Sequence, residues 1–202
     1  MEVTKVIGIT GLYCAGKNHV ARFLEQRSFP VLDVDKLGHK IIEEEKERLI
    51  TRFGKDILDP NGLVDRKKLG RKVFGKPEDL TALEEIIHPA ANRETREWLN
   101  ARQESVCFVN AALLHRSSAF EALNAVIIVE AGFLVRLFRA KKRDRLSWIL
   151  LLKRFWSQRK FNYQLFKEKT DIYRVGNSLG CTNSKLEKRI DEILALQGTT
   201  RV

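Results

Sequence analysis

The sequence predicts an α/β fold built on a parallel sheet, and three observations predict it. An apolar run, Lys5-Val-Ile-Gly-Ile-Thr10, leads straight into Gly11-Leu-Tyr-Cys-Ala-Gly16-Lys17-Asn18. Short strand-like runs recur at Phe29–Asp35, Val106–Val109 and Ala125–Val129, separated by segments with helical spacing. At 202 residues and 44% hydrophobic, the chain can bury one full core as a single α/β unit with a small inserted subdomain.

The first run reads as a strand because it is β-branched and uncharged after Lys5, and Val20, Phe23 and Leu24 then recur at helical spacing. Between them, two glycines five positions apart followed by Lys match a phosphate-binding loop. Glycines let backbone N–H groups turn inward to cradle phosphate oxygens, the helix N-terminus adds partial positive charge, and Lys17 reaches the β and γ phosphates. Gly11, Leu12, Tyr13, Cys14, Ala15, Gly16, Lys17 and Asn18 are therefore read as a site for a nucleoside triphosphate. Position 18 departs from the pattern, which calls for a Ser or Thr hydroxyl on Mg²⁺. Asn18 offers a bulkier amide carbonyl, a less usual ligand for so demanding an ion, so metal binding is either weakened or arranged differently.

The second strand, Phe29-Pro-Val-Leu-Asp33-Val-Asp35, ends in two carboxylates. Ligands collect at the C-terminal ends of strands in open parallel sheets, which directs Asp33 at the site opened by the loop. There it can orient or deprotonate an attacking hydroxyl. Its other role is to cap the helix that begins near Lys36. The reading gives the chemistry to Asp33 and the capping to Asp35.

From about Ile41 to Leu99 the texture changes to helices and turns. Asp59-Pro-Asn-Gly62 is a turn, after which Leu63, Leu69, Val73 and Phe74 recur in helix-like fashion. Leu83, Ile86 and Ile87 mark another helix running into His88-Pro89, where the proline biases His88 out of helical geometry and makes it a turn residue. The runs at 106–109 and 125–129 bring the count to at least four strands, read as parallel because they are continuously apolar. The final helix carries Leu186, Ile190, Ile193 and Leu194 on one side. No repeats or low-complexity linkers appear.

Charge narrows the function further. With 37 basic and 26 acidic residues the formal charge is +11. Much of the excess lies in one segment: Arg136, Arg139, Lys141, Lys142, Arg143, Arg145, Lys153, Arg154, Arg159, Lys160, Lys167, Lys169 and Arg174 against Asp144, Glu168 and Asp171. Three readings fit. One is a nucleic-acid surface with Phe155, Trp156, Phe161, Tyr163 and Phe166 as stacking platforms. Another is a mobile lid whose arginines neutralise transferring phosphoryl charge. The third is a solvated helix face with its aromatics turned to the core. Arg139 and Arg143 stand out, because four residues apart on a helix they face the same way and their guanidinium groups suit phosphate oxygens. Cys14, Cys107 and Cys181 form an odd set without metal spacing, and the start is too charged for a signal peptide, so a reduced, cytoplasmic setting is expected. The longest later apolar stretch, Ala125 to Leu134, contains Glu130 and is too short to span a bilayer.

The residues also resemble the dephospho-coenzyme A kinase family. The resemblance runs from the loop through Phe-Pro-Val-Leu-Asp33-Val-Asp35, Arg52-Phe-Gly54, Leu58-Asp-Pro-Asn-Gly62-Leu-Val-Asp65-Arg66, Val73-Phe74 and Leu83-Glu-Glu-Ile-Ile-His88-Pro89. It continues in Arg139, Arg143-Asp144, Leu146-Ser147, the Arg154 to Gln158 segment, Asn177 and Gly180, and so covers nearly the whole chain. Asp33-x-Asp35, Asp65-Arg66 and His88-Pro89 together are much more specific than the phosphate loop alone.

The resemblance implies transfer of the ATP γ-phosphate to the ribose 3′-hydroxyl of dephospho-CoA, the last step of coenzyme A synthesis. It implies a three-layer P-loop kinase core with a parallel sheet over 1–40, 100–137 and 166–202, a helical acceptor-binding insert over about 41–99, and a helical lid over about 138–165. By the same resemblance Lys17 and the loop amides hold the phosphates, Asp33 receives or orients the hydroxyl, and Arg139 with Arg143 offsets transition-state charge. Thr10 and His88 lie near the acceptor, and Asn177 near the adenine. Closure of the lid would exclude water as a competing acceptor.

The chain departs from the family where Asp-x-Pro-Leu-Leu-Phe-Glu usually follows the third strand and Asn110-Ala-Ala-Leu-Leu-His115-Arg116 stands instead. An acid at that strand end normally helps hold Mg²⁺. Asn18 and Asn110, the side chains at the two metal-supporting positions, are thus both neutral amides. Either Mg²⁺ is held mainly by ATP oxygens and water, or the chain is a weakened nucleotide binder. Retention of Lys17, Asp33, Arg139 and Arg143 favours the kinase. A nucleotide-responsive protein with a basic nucleic-acid face has only charge to support it and lacks a recognisable nucleic-acid fold. A kinase for another small hydroxyl acceptor shares the core and lid, and the pattern over 52–89 argues against it. The oligomeric state has no signal in the sequence.

Overall fold

The computed structural model describes residues 4–144, 146–157, 166, 170–178 and 182–198, leaving aside the side chains of Arg116 and Ser157. Arg145, Gln158, Arg159, Lys160, Phe161, Tyr163, Lys167, Glu168, Lys169, Gly180 and Cys181, which entered the sequence reading, lie outside the described residues.

Five strands form one sheet: β1 (Lys5–Gly11), β2 (Val31–Asp33), β3 (Val106–Asn110), β4 (Ala125–Glu130) and β5 (Asp171–Gly176), in the order β2-β3-β1-β4-β5. β1 runs parallel to β3 and to β4, with Ile7 opposite Phe108 on one side and Ala125 on the other. β4 runs parallel to β5. Strands covered on both faces need apolar side chains in both directions, which is why β4 reads Ala-Val-Ile-Ile-Val without alternation and why all five are fully buried. β5 escapes sequence reading for the complementary reason. As an edge strand it carries Asp171 and Arg174, and only Val175 is buried.

The chain divides into two compact units, Met1–Leu32 with Arg102–Val202, and Asp33–Ala101. The first unit contains the sheet, save Asp33 at the end of β2, and the helices α1 (Lys17–Gln26), α6 (Phe133–Asp144), α7 (Trp148–Ser157) and α8 (Asn183–Leu196). Its core joins Ile7, Ile9, Phe108 and Ile127 of the strands to Val20 and Leu24 of α1. From α8 it takes the four residues that the spacing predicts, Leu186, Ile190, Ile193 and Leu194. Each such side chain withdrawn from water contributes about 1.5–3 kcal/mol. Gln197 closes the C-terminal end, donating to Asp171 Oδ2 at 3.1 Å and to the Tyr173 hydroxyl at 2.9 Å.

The second unit is helical: α2 (Val34–Glu44), α3 (Lys46–Phe53), α4 (Arg66–Val73) and α5 (Pro77–Asn100). Leu49, Phe53, Ile57, Leu69, Val73 and Ile86 form its core. The turn at Asp59–Gly62 is present, with Asp59 Oδ1 accepting from the backbone N–H of Asn61 and of Leu63, both at 2.9 Å. Asp65 caps α4, accepting from Lys67 N at 2.8 Å and Lys68 N at 3.2 Å.

Three sequence expectations are corrected here. α4 starts after Leu63 and ends before Phe74, and both are exposed, because the Asp65 cap sets the start and Phe74 turns to extended geometry at the end. The second helix begins at Val34 and its cap is Asp33, while Asp35 sits in the first turn. α5 does not break at His88-Pro89 but runs through it for 24 residues. A mid-helix proline removes one hydrogen bond and costs about 3 kcal/mol. Burial of Ile86 and Ala90 on either side of it offsets that cost. Among the described residues no helix is long and apolar enough to cross a membrane.

Candidate active site

β1 delivers the chain into the loop, and Gly11 marks where it leaves the sheet: a Cβ there would collide with the backbone carbonyl of Val129. The loop closes on itself through Ala15 N–H to Leu12 O at 2.9 Å. Gly16 then takes φ +102°, a conformation that glycine adopts without penalty, and α1 starts at Lys17. His19 N–H and Val20 N–H both reach back to the Gly16 carbonyl, at 2.8 and 3.3 Å. The strand, turn and helix that the motif requires are thus in place, with the loop at the positive end of α1.

Lys17, Asn18 and Asn110 meet in a small hydrogen-bonded triangle. Lys17 Nζ donates to Asn18 Oδ1 at 3.0 Å and to Asn110 Oδ1 at 3.4 Å, and Asn110 Nδ2 donates to Asn18 Oδ1 at 3.0 Å. An ammonium has donors only, so it fixes the orientation of both amides, with their oxygens toward Lys17. Asn110 is fully buried at the end of β3. Thr10, also fully buried, donates from Oγ1 to Ala112 O at 3.4 Å.

The other wall of the loop is basic. Arg139 Nη1 and Asn177 Nδ2 both donate to the Ala15 carbonyl, at 3.2 and 3.0 Å. Asn177 is therefore turned to the loop and supports its back. Burial pushes the Cys14 thiol above its ordinary value, against the opposing pull of Arg143, Arg139, Arg136 and Arg154. Four guanidinium groups thus bear on one loop residue, which makes the surroundings of the loop strongly electropositive.

Tyr13 carries a contact set that sequence reading does not find. Its hydroxyl donates to Asp144 Oδ2, and Arg154 Nη1 donates to both of those oxygens at 3.3 Å. Arg143 holds Asp144 from the other side, Nε to Oδ1 at 2.7 Å and Nη2 to Oδ2 at 3.2 Å, and lies 5.1 Å over the Tyr13 ring. Phe155 meets Tyr13 edge-on at 5.4 Å, Phe133 in turn meets Phe155 edge-on at 5.3 Å, and the Arg136 guanidinium lies 5.0 Å over the Phe155 ring. The ends of α6 and α7 are thereby latched to the phosphate loop. The available signal was Asp144, the single acid between Arg136 and Arg154. The aromatic residues of this segment divide: Phe155 packs on Tyr13, Trp156 is exposed, and Phe166 is buried against His115 and Phe120. Phe166 is therefore a core residue and no stacking platform.

Beyond the loop, at the C-terminal ends of β4 and β5, a cavity of about 440 Å³ is lined by Leu12, Glu130, Ala131, Gly132, Gly176 and Ser178. Ser178 Oγ accepts from Gly132 N–H at 3.0 Å, and Glu130 pairs with Arg174 at 3.5 Å.

In the second unit, Asp33 ends β2 with a side chain only 12% exposed. Its Oδ1 accepts from Lys36 N–H at 3.0 Å, and Oδ2 stands 3.9 Å from Lys36 Nζ. One carboxylate oxygen is thus committed to the cap, and among the described residues the other holds a distant ion pair. His88 is exposed midway along α5.

Comparison with known proteins agrees with this geometry. The family model for dephospho-CoA kinase matches residues 5–171, which takes in β1, the loop, the helical unit, α6 and α7. A dephospho-CoA kinase of Fusobacterium nucleatum is 33% identical over 175 residues, 86% of this chain and 90% of that protein. The crystal structure of TT1252 from Thermus thermophilus is similar at 30% identity and TM-score 0.80, covering 96% of this chain and 97% of that one. The dephospho-CoA kinase from Campylobacter jejuni is similar at 25% identity and TM-score 0.62, covering 97% of each chain. A nucleotide loop, a basic latch above it and a match spanning both units lead to one conclusion: the chain belongs to the dephospho-CoA kinase family.

Proposed function

We propose that this chain transfers the γ-phosphate of ATP to the ribose 3′-hydroxyl of dephospho-CoA. The observation that carries the reading is the loop from Gly11 to Lys17, opening α1 under a cluster of arginines, in a chain whose family match covers residues 5–171.

In this reading the loop amides and Lys17 hold the triphosphate, and the base occupies the cavity bounded by Leu12, Gly132 and Ser178. Asn177 holds the loop from behind through Ala15. Arg139, bonded to the loop at Ala15, and Arg143, set over Tyr13 of the loop, disperse charge as the phosphoryl group leaves ADP. Asp33 accepts the proton of the 3′-hydroxyl or orients it, using the oxygen that the cap leaves available, and Thr10 and His88 contribute to acceptor binding. The reaction goes with a cytoplasmic setting, in keeping with the biosynthetic role of the family.

Mg²⁺ would supply charge neutralisation on the phosphates. Asn18 and Asn110 do not fit its direct ligation. Both lone pairs of Asn18 Oδ1 already accept, from Lys17 and from Asn110, and the β3 end offers an amide in place of an acid. The ion is accordingly proposed to travel with ATP, held by phosphate oxygens and water.

The test is steady-state phosphoryl transfer from Mg·ATP to dephospho-CoA, in competition with nucleosides and nucleoside monophosphates as acceptors. Turnover with dephospho-CoA, abolished by Asp33→Asn, is the expected result. Turnover faster with another acceptor would overturn the substrate assignment.

A further inference from the structure

The two amides that replace a hydroxyl in the loop and an acid at the strand end are 92 residues apart in sequence and in direct contact in the fold, Asn110 Nδ2 to Asn18 Oδ1 at 3.0 Å. Lys17, the residue that reaches the nucleotide phosphates, touches both. The replacements therefore match each other. A serine at 18 would be too short to meet Lys17 and Asn110 as the amide does, and an aspartate at 110 would set a negative charge, fully buried, within 3.4 Å of Lys17 Nζ.

A carboxylate at position 110 repels a bare triphosphate and is tolerated when a cation stands between them. An amide at 110 neither repels the phosphates nor calls for a cation between. The charge removed is a whole unit at a fully buried position, where solvent and salt screen it little.

We infer that Asn18 and Asn110 act as one neutral pair which presents Lys17 to the nucleotide phosphates without a divalent cation, so that nucleotide affinity in this chain is nearly independent of Mg²⁺. This rests on the reading of the loop as the ATP site.

Isothermal titration of the full chain with ATP, once with Mg²⁺ and once with EDTA, tests it directly, and Asn110→Asp and the double variant Asn18→Ser/Asn110→Asp follow under both conditions. The expected result for the unaltered chain is a Kd that differs by less than about fivefold between the two conditions. Asn110→Asp is expected to weaken metal-free ATP by about tenfold or more, and the double variant to bind Mg·ATP at least tenfold tighter than metal-free ATP. A Mg²⁺ preference above about fivefold in the unaltered chain overturns the inference while leaving the ATP site standing. Failure to bind ATP under either condition overturns both. The measurement on the unaltered chain decides the matter even if a variant does not fold, and thermal unfolding of each variant reports that separately.

Discussion

Gly16→Ala should damage this protein through two separable terms. At φ +102° an alanine is strained, a cost of about 1–3 kcal/mol. Its Cβ would also fall on the Asn177 side-chain amide. Asn177 must then move, giving up its 3.0 Å bond to Ala15 O, a further loss of about 0.5–1.5 kcal/mol. The Ala15 carbonyl keeps Arg139 as a donor, so no orphaned acceptor adds to the sum. The total is about 1.5–4.5 kcal/mol, or a fall in Tm of roughly 3–18 °C for a chain of this size. Thermal unfolding of Gly16→Ala, Asn177→Ala and the double variant separates the terms. Asn177→Ala removes the obstacle, so the pair should couple by about 1 kcal/mol, the double variant being more stable than the two single losses predict. A Tm loss under about 2 °C for Gly16→Ala, or additivity within about 0.3 kcal/mol, would refute the reasoning.

Four other outcomes are expected. Tyr13→Phe keeps the ring stacking on Phe155 and Arg143 but loses the hydroxyl shared with Asp144 and Arg154, and should raise the KM for ATP about 3- to 10-fold, measured by initial rates. Asp33→Asn should lower kcat by about 10²–10⁴-fold with little change in Tm, since asparagine caps a helix as well as aspartate does. Pro89→Ala restores a mid-helix donor in α5 and should raise Tm by several degrees in a calorimetric scan. Backbone hydrogen bonds from Lys67 and Lys68 hold the Asp65 carboxyl below its ordinary 3.8. The unfolded chain therefore takes up the proton first as pH falls, so the stabilisation is present at neutral pH and is lost below about pH 4. In urea unfolding, Asp65→Asn should show a smaller loss between pH 6 and pH 3 than the unaltered chain.

What could be read from the residues alone divides along a physical line. Signals that are local in sequence were legible. The apolar runs of β1, β3 and β4, the loop with its glycines and Lys17, the turn at Asp59–Gly62 and the buried stripe of α8 each arise from neighbours a few positions apart, and the structure has all of them. Position-specific resemblance carried the family, which the comparisons then showed. Signals that depend on distant partners were not legible. β5 exists because β4 offers it a ladder, although its own residues are half polar. α5 continues through Pro89 because Ile86 and Ala90 are buried beside it, overriding a backbone preference that argues for a break. Whether Asp33 or Asp35 caps α2 turned on where β2 ends, a matter of sheet pairing.

The site shows the same division most sharply. Asn18 and Asn110 read in sequence as two unrelated departures from a pattern. That they are one hydrogen-bonded unit with Lys17 was decided only when β1 and β3 paired in register, Ile9 opposite Asn110, and set two residues from distant parts of the chain against one ammonium group. Likewise the sequence by itself determined a basic segment after β4, while tertiary packing alone decided that Arg143, Arg154 and Asp144 converge on Tyr13. Charge is a property of composition, but the pairing of charges is a property of distance, and distance belongs to the fold.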